Sequence, residues 1–471
     1  MKERGIIIKL IELITLIAIY YISGNNSLFL YASTITLYNI YASFFSQVTI
    51  EQTLKKYNNH YSKFKILKFT SLTIIAVCLL FVLLSILIGD SIHVFLGIQN
   101  TFRPFINMGL SVVTEPLITV LSEYLESYNK PKLSNSLLKT YYILESIFII
   151  IIAIISISIL KLPTHKAISL FYTSKILSFI IISSLIFIIL NKENINFNTQ
   201  TEDNKINYKN DIKEIFKNNS HKTITQIVKN SYYYISIIVL YMILSTRYSY
   251  GISIIENELT FIYLYGLTMI NYLVYTVIYI TNKKNNIISY ILKIFKIMVT
   301  IAIISSITSP LLCKIIFGDS ANSIYLMMIS FLSIFISLFN ITFDNIKNKK
   351  VIYISLVTGL ISKIILIIPL INAFYRMGYN LIYGDIISTI LSMSASITIN
   401  YIYLKNKNKK EKTLEKILTT LYESIILCII LLILQFLIPI KTNNYFIALL
   451  IFTIYIAISI AFLKFTKKKR G

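Results

Sequence analysis

Several ionisable side chains of this sequence lie inside long apolar segments, where charges are costly and are usually paired or functional. Lys363 lies in the middle of the apolar segment 351–374. Asp385 lies about two helical turns into the next segment, 379–404. If the two segments form antiparallel helices, both side chains lie at a similar depth. We therefore predict a Lys363–Asp385 ion pair, which is either a static structural contact or one that breaks and re-forms during alternating access or cation coupling.

A carboxyl group also lies beside a predicted helix break. Glu115 is near the centre of segment 102–125 and directly precedes Pro116, and proline interrupts the hydrogen bonds of a helix. A carboxyl group at such a break could serve proton coupling, or it could stay neutral and hydrogen-bonded among the helices. Glu145 and Lys175, in the next two segments, allow the same two interpretations.

Polar residues with helical spacing mark two further segments, because residues three and four positions apart share one face of a helix. The stripe in the second segment comprises Thr36, Asn39, Ser43 and Gln47. The weaker stripe in the eighth segment comprises Thr268, Asn271 and Tyr275. Each stripe is predicted either to line a polar cavity or to form hydrogen bonds between membrane helices.

The elements that position these residues are predicted to be membrane-spanning helices. With 471 residues, 56% of them hydrophobic, and a mean hydropathy of +0.71, the chain is too apolar for a soluble protein of its length. Segments of roughly 20 apolar residues are long enough to cross a bilayer as helices. Fourteen such segments predict an all-α, multi-pass membrane protein. They are 6–23, 28–50, 66–89, 102–125, 137–160, 167–190, 224–246, 259–281, 287–309, 324–342, 351–374, 379–404, 417–440 and 445–465.

The basic residues indicate which loops face the cytoplasm, because cytoplasmic loops retain Lys and Arg. With the N-terminus inside, 36 of the 45 basic residues fall in inside loops or the adjoining helix ends. Both termini are therefore predicted to be cytoplasmic. The net charge of +24 is spread over short lysine clusters, which favours anionic membrane lipids and not nucleic acid as a partner.

No cofactor, metal site or enzymatic centre is predicted. The three cysteines are isolated in apolar segments, and the four histidines have no ligand spacing. The sequence has no nucleophile elbow or phosphate loop. A membrane polymerase or ligase would need a sizeable outer loop with acid–base or arginine residues, and the predicted outer loops are short.

The polar stretch 191–222 separates two groups of six predicted helices. We predict an N-terminal lobe at 1–190 and a cytoplasmic linker at 191–222, with a short amphipathic helix over 208–218. A C-terminal lobe at 223–405 and two added helices with a basic tail at 406–471 follow. Short echoes favour a parallel repeat: the third segment ends in IGDS and the ninth in FGDS. Such repeats are typical of transporters, with the substrate site between them.

Three of the five arginines fall on the predicted outer side, where the charge rule disfavours them. They are Arg103, Arg247 and Arg376. Because arginine binds phosphate bidentately, these residues are candidates for a phosphate-handling outer gate. The alternative is that they anchor helices at the membrane interface.

Three stretches resemble a known family of exporters. Segment 344–406 has a basic entry loop, Gly359 with Lys363, Pro369, Gly384 and Asn400–Tyr401 before a lysine-rich exit. The other two are 248–275, with LYG at 264–266, and SEYLESYNKPKLSN at 122–135. They are similar to the multidrug, oligosaccharidyl-lipid and polysaccharide (MOP) exporter superfamily. Within it, they most resemble the branch of stage V sporulation protein B and the lipid II flippase MurJ.

The resemblance implies two six-helix lobes around a central cavity. It further implies a monomer in the bacterial cytoplasmic membrane that flips a polyprenyl-pyrophosphate-linked saccharide from the inner to the outer leaflet, with Na⁺ or H⁺ as the coupling cation. Relatives that flip lipid II carry cavity arginines on the first, second and eighth helices. Here the first segment offers Lys9 and Glu12, and the other two offer no arginine. The alternatives are a drug or cation exporter of the same superfamily, a polysaccharide polymerase or ligase, and a non-transporting scaffold.

Overall fold

The structure is a computed structural model that describes most of the chain. The described residues are 2–23, 28–44, 63–96, 102–126, 130–192, 208–243, 252–281, 287–318, 320, 322–346, 348–407, 413–437 and 444–468. Over these ranges the chain forms helices joined by turns, and no strand occurs. The all-α prediction is confirmed.

The chain forms two compact units, Glu3–Thr260 and Phe261–Gly471. The helices of the first unit are α1 Lys2–Ser23, α2 Phe29–Phe44, α3 Lys63–Leu96, α4 Phe102–Ser111, α5 Thr114–Glu126, α6 Pro131–Ala153, α7 Thr164–Phe171, α8 Thr173–Lys192, α9 Tyr208–Met242 and α10 Ile252–Thr260. Helix α6 continues as a π-helical segment, Ile154–Ile159. Within this unit α2 packs on α9, α3 on α4, and α6 on α8.

The second unit opens with a π-helical segment, Phe261–Gly266. Its helices are α11 Leu267–Ile280, α12 Ile287–Ile307, α13 Ser309–Phe317, α14 Ser323–Asn345, α15 Lys349–Arg376, α16 Ile382–Lys407, α17 Thr413–Leu437 and α18 Tyr445–Lys468. Helix α15 packs along α16, and α14 packs on both α12 and α16. A buried cluster joins the two last helices to α13 and consists of Leu311, Leu427, Leu431, Ala448, Ile451 and Tyr455. These two helices therefore belong to the core of the second unit.

The helices have the length and composition of membrane spans. Within the part of the chain that the structure describes, ten helical stretches are long and apolar enough to cross a membrane, and α17 and α18 contain shorter apolar stretches. On α3, Leu79, Leu83 and Leu87 recur at four-residue spacing and are more than half exposed, as expected for a face that contacts lipid. The protein is thus a multi-pass membrane protein. The count of fourteen spans, the side of the termini and the four proposed domain ranges stay predictions.

Several predicted spans are interrupted helices. The fourth span divides into α4 and α5 at Val112 and Val113, and Pro116 lies in the first turn of α5. Proline is tolerated there because the first amides of a helix have no intrahelical acceptor. The ninth span divides in the same way, with Pro310 at the start of α13. These breaks place side chains at the ends of half-helices inside the apolar spans.

Two sequence features have a different local structure from the one expected. The IGDS tetrapeptide lies inside α3, which continues to Leu96, whereas α13 ends at Phe317 and Gly318 takes the left-handed conformation with φ +82°. Glycine permits either backbone, so the shared letters do not fix a shared structure. The short helix predicted over 208–218 is the first part of the continuous helix α9.

Helices α15 and α16 approach each other closely at Gly384. A Cβ atom at this position would lie 2.7 Å from the backbone nitrogen of Ile371 and 2.7 Å from the carbonyl carbon of Leu370. Both are backbone atoms, so a side chain fits only if one helix moves. The missing side chain of Gly384 therefore sets the spacing of this helix pair.

Changing Gly384 to alanine is expected to destabilise the purified protein by about 1–3 kcal/mol, the usual cost of overpacking. Thermal or denaturant unfolding in detergent measures the effect. Thr398→Ala is the matched control, because Thr398 is exposed on the same helix and its hydroxyl group donates to Ser394 O within that helix. Equal stability of the two variants would contradict the close approach.

Candidate functional site

The structure contains the Lys363–Asp385 ion pair. Lys363 lies on α15 and Asp385 in the first turn of α16, and both side chains have zero exposure. Lys363 Nζ lies 2.6 Å from Asp385 Oδ1. The functional role proposed for the pair stays a prediction.

Three further oxygen atoms surround the Lys363 ammonium group. It donates to Ser388 Oγ at 2.8 Å, Thr389 Oγ1 at 2.6 Å and the Asp385 carbonyl oxygen at 3.2 Å. The hydroxyl groups of Ser388 and Thr389 in turn donate to that carbonyl oxygen, at 2.7 and 3.0 Å. Their protons are thereby directed away from Lys363, and their lone pairs face the ammonium group.

The second carboxylate oxygen of Asp385 accepts a hydrogen bond from the Tyr263 hydroxyl group. Tyr263 lies in the π-helical segment Phe261–Gly266. Both carboxylate oxygens are therefore bonded, and the cluster holds one positive and one negative charge. Such full pairing is what a buried ion pair needs to offset its desolvation.

Asp385 lies nearer the helix start than predicted, because α16 begins at Ile382 and not at Tyr379. The intervening residues form a turn in which Gly378 has φ +73° and Asn380 Oδ1 accepts a hydrogen bond from the Ile382 amide at 3.0 Å. The result is a carboxylate in the first helical turn, where the helix dipole favours negative charge.

A second polar cluster lies in the first unit around Glu115, at the start of α5. Its Oε1 accepts a hydrogen bond from Tyr142 on α6 at 2.6 Å, and its Oε2 accepts one from Tyr38 on α2 at 3.2 Å. The side chain is half-buried. Glu115 thus joins three helices through two tyrosine hydroxyl groups.

An ion pair adjoins this cluster. Lys175 Nζ lies 2.6 Å from Glu145 Oε1, and the same ammonium group lies 4.5 Å from the centre of the Tyr38 ring, a cation–π contact. The second oxygen of Glu145 is buried, and no hydrogen-bond partner for it occurs in the described part of the chain. The four side chains Glu115, Glu145, Lys175 and Tyr38 therefore contain two carboxyl groups and one ammonium group.

The stripe on α2 is partly an interhelical contact. Ser43 Oγ and the Asn39 carbonyl oxygen each accept a hydrogen bond from Asn230 Nδ2 of α9, both at 3.0 Å. Thr36 is buried and donates to Ala32 O within its own helix at 2.6 Å, and the Asn39 side chain is exposed. Gln47 lies outside the described residues.

The remaining candidates differ in how much of each side chain is exposed. On α11 Thr268 and Asn271 are half-buried, and Tyr275 is 46% exposed. Lys9 and Glu12 form an ion pair of 2.5 Å within α1. Arg103, in the first unit, and Arg376, in the second, are exposed, and Arg247 lies outside the described residues.

Sequence reasoning missed five residues of these clusters. Ser388 and Thr389 lie three and four positions after Asp385, so helical spacing gives a signal that could have identified them. Tyr38, Tyr142 and Tyr263 give no such signal, because the chain has 35 tyrosines and only tertiary packing brings these three to a carboxylate.

Comparison with solved structures identifies the fold. A lipid II flippase, MurJ, in an inward closed conformation aligns with TM-score 0.66 and 15% identity over 99% of this chain and 98% of its own. The eukaryotic MATE transporter AtDTX14 aligns with TM-score 0.54 and 11% identity over 89% and 97%. The chain has the fold of the MOP exporter superfamily.

A third similar structure is a MOP-superfamily transporter from Pyrococcus furiosus, described as having a binding pocket of reversed polarity. It has TM-score 0.53 and 13% identity, over 86% of this chain and 94% of its own. No protein-family model and no curated protein sequence matches the chain. These similar structures are a flippase and transporters, not enzymes, and the chain shares their fold.

Replacing Lys175 with methionine should destabilise the protein by about 3 kcal/mol, because it leaves the carboxylate of Glu145 buried without its partner. The double variant Lys175→Met/Glu145→Gln should regain most of the loss, since neither charge remains. Denaturant unfolding measures both, with the exposed Lys132→Met on α6 as control. If the double variant is no more stable than Lys175→Met, the loss has another cause.

Proposed function

We propose that the protein is a flippase that moves a polyprenyl-pyrophosphate-linked saccharide, a cell-wall precursor or polysaccharide repeat unit, from the inner to the outer leaflet by alternating access. The observation that carries this proposal is the alignment with a lipid II flippase along 99% of the chain. The MATE structures cover between 84% and 89% of it. The difference is comparable in size to the last two helices, which pack into the core of the second unit.

Moving a saccharide headgroup across the membrane requires a protein that offers it polar groups. A saccharide headgroup cannot cross hydrocarbon unaided, because each hydroxyl group that loses water without gaining a partner costs about 2–7 kcal/mol. A polar lining supplies those partners while the lipid tail stays in the membrane. In the first unit the Asn39 side chain on α2 is exposed, and in the second unit Tyr275 on α11 is 46% exposed. Each is a candidate to present a polar group to the headgroup.

The coupling step is assigned to the first unit. Its cluster of Glu115, Glu145, Lys175 and Tyr38 has one carboxyl group more than it has ammonium groups. Binding of H⁺ or Na⁺ there would neutralise the excess charge, and Tyr38 links the two carboxyl groups through the hydrogen bond to Glu115 and the contact with Lys175. The electroneutral Lys363–Asp385 cluster has no such excess.

Reconstitution into liposomes tests the flippase. A polyprenyl-pyrophosphate disaccharide with a fluorescent label on the sugar is placed in both leaflets, and dithionite then bleaches the outer label. A flippase makes nearly all the label bleachable. Empty liposomes are the negative control. A Leu83→Ala variant, changed on the lipid-facing side of α3, is the positive control. Bleaching that stops at the outer-leaflet share would refute the proposal.

The outer-gate role of the arginines is part of the same proposal. The triple variant Arg103→Gln, Arg247→Gln and Arg376→Gln removes their capacity for bidentate phosphate binding. In the same assay it should slow flipping of the pyrophosphate lipid. An unchanged rate would leave the three residues as interface anchors.

Changing Glu115 to glutamine should uncouple transport from the cation gradient. The variant keeps the shape of the side chain but cannot bind a proton. The acceleration of flipping by an imposed H⁺ or Na⁺ gradient should therefore be about tenfold smaller than in the wild type, within the usual range of coupling between two sites. Glu126→Gln, at the end of α5, is the matched control. Full gradient dependence in the Glu115 variant would remove this residue from coupling.

A drug or cation exporter is the second candidate, and the excess carboxyl group of the first unit favours it, because such a group attracts cationic substrates. Efflux of a fluorescent organic cation from the same liposomes distinguishes the two. Cation efflux without flipping supports the exporter. If the protein shows neither cation efflux nor lipid flipping, the result supports the non-transporting scaffold.

A further inference from the structure

The environment of Lys363 resembles a binding site for a small monovalent cation. Four oxygen atoms lie between 2.6 and 3.2 Å from its Nζ, from one carboxylate, one carbonyl group and two hydroxyl groups. Hard cations are bound by this mixture of oxygen types. We propose that the second unit contains an oxygen cage for a small monovalent cation and that the chain fills it with its own Lys363 ammonium group.

The number of oxygen atoms indicates that the cage holds its cation by electrostatic attraction and not by one hydrogen bond per oxygen. An ammonium group has three protons, so the four oxygens exceed the hydrogen bonds that it can donate one to one. The longest contact, 3.2 Å to the Asp385 carbonyl oxygen, is the surplus one. An arrangement with more oxygens than protons serves a spherical positive charge as well as it serves an ammonium group.

The orientation of the hydroxyl groups is a second, independent observation that supports the oxygen cage. Ser388 and Thr389 each direct their proton to the Asp385 carbonyl oxygen, and Tyr263 directs its proton to the second carboxylate oxygen. None of these three protons points at Nζ. The groups around the cage are thus held with lone pairs inward by bonds that do not involve the lysine, and the cage persists without it.

Removing the ammonium group would leave a carboxylate with zero exposure and no compensating charge. The penalty for an uncompensated buried charge is severe, so the vacated cage should take up a cation from solution. In the wild type the tethered charge occupies the cage permanently. The second unit therefore needs no dissolved cation to neutralise Asp385, and cation coupling falls to groups elsewhere in the chain.

Chemical rescue of Lys363→Ala tests the cage in the full-length purified protein. The change deletes three methylene groups and the ammonium group, which n-propylammonium replaces. Unfolding midpoints are measured in chloride salts of n-propylammonium, ammonium, Na⁺, K⁺ and choline at constant ionic strength. The variant should be destabilised in choline, and its midpoint should rise saturably with at least one of the small cations. The wild type should have the same midpoint in all five salts.

Two further variants make the result specific. Lys363→Met fills the volume with an apolar chain and should not respond to any salt. Lys363→Ala/Asp385→Asn has no charge to neutralise and should bind the rescuing cation at least tenfold more weakly than Lys363→Ala. Neutral n-propanol, which fills the same space without charge, should not rescue. If Lys363→Ala is folded only when purified with a rescuing cation, the yield of monodisperse protein replaces the midpoint as the readout.

Two outcomes would overturn the inference. One is a Lys363→Ala protein that none of the four small cations stabilises beyond choline, by midpoint or by yield. The other is a wild-type protein whose midpoint rises with Na⁺ or K⁺ and loses that response in Asp385→Asn, because the cage would then bind a dissolved cation while Lys363 is present. These measurements do not depend on transport, so the flippase proposal can fail without affecting this one.

Discussion

A charge inside hydrocarbon needs compensation, and this requirement shapes the polar interior of both units. Each unit places ionisable groups within apolar helices: Lys363 and Asp385 have zero exposure, and Glu115 is half-buried. In the second unit the compensation is complete, since every oxygen of Asp385 is bonded and its charge is matched by Lys363. In the first unit Lys175 forms an ion pair with Glu145 and not with the second carboxyl group, Glu115. The cluster of the second unit therefore has equal numbers of carboxyl and ammonium groups, whereas the cluster of the first unit has one more carboxyl group than ammonium groups.

The backbone supplies the precision that these clusters need. Gly384 allows α16 to approach α15 at the level of Leu370 and Ile371, and the next residue is Asp385. The break between α4 and α5 brings Glu115 to the start of a half-helix, within reach of tyrosines from two neighbours. In both cases a residue with unusual backbone properties, glycine or proline, adjoins the carboxylate. The chemistry of each site depends on a local departure from a regular helix.

The sequence predicts the parts of this structure that depend on polarity in an apolar background. The helical class, the pairing of Lys363 with Asp385 and the helix interruption near Glu115 all follow from where charged residues and proline fall in apolar segments. It does not predict contacts that depend on packing between distant helices, such as Tyr263 with Asp385, because tyrosine is too abundant here to be informative. The IGDS and FGDS tetrapeptides differ in backbone conformation, since glycine is compatible with both a helix and a turn, and the internal repeat that they suggest stays a prediction.

The π-helical segment Phe261–Gly266 has a consequence for how this chain tolerates change. A π-helical turn contains one residue more than the α-helical turn it replaces, and each residue of a helix turns the chain by about 100°. Losing one residue from this segment would change the direction of the Tyr263 side chain by about 100° around the helix axis, and Tyr263 would lose its contact with Asp385. The side chain of Ile329 against Gly266 limits the space on the other side. A chain that keeps the contact between Tyr263 and Asp385 should therefore keep the number of residues in this segment constant.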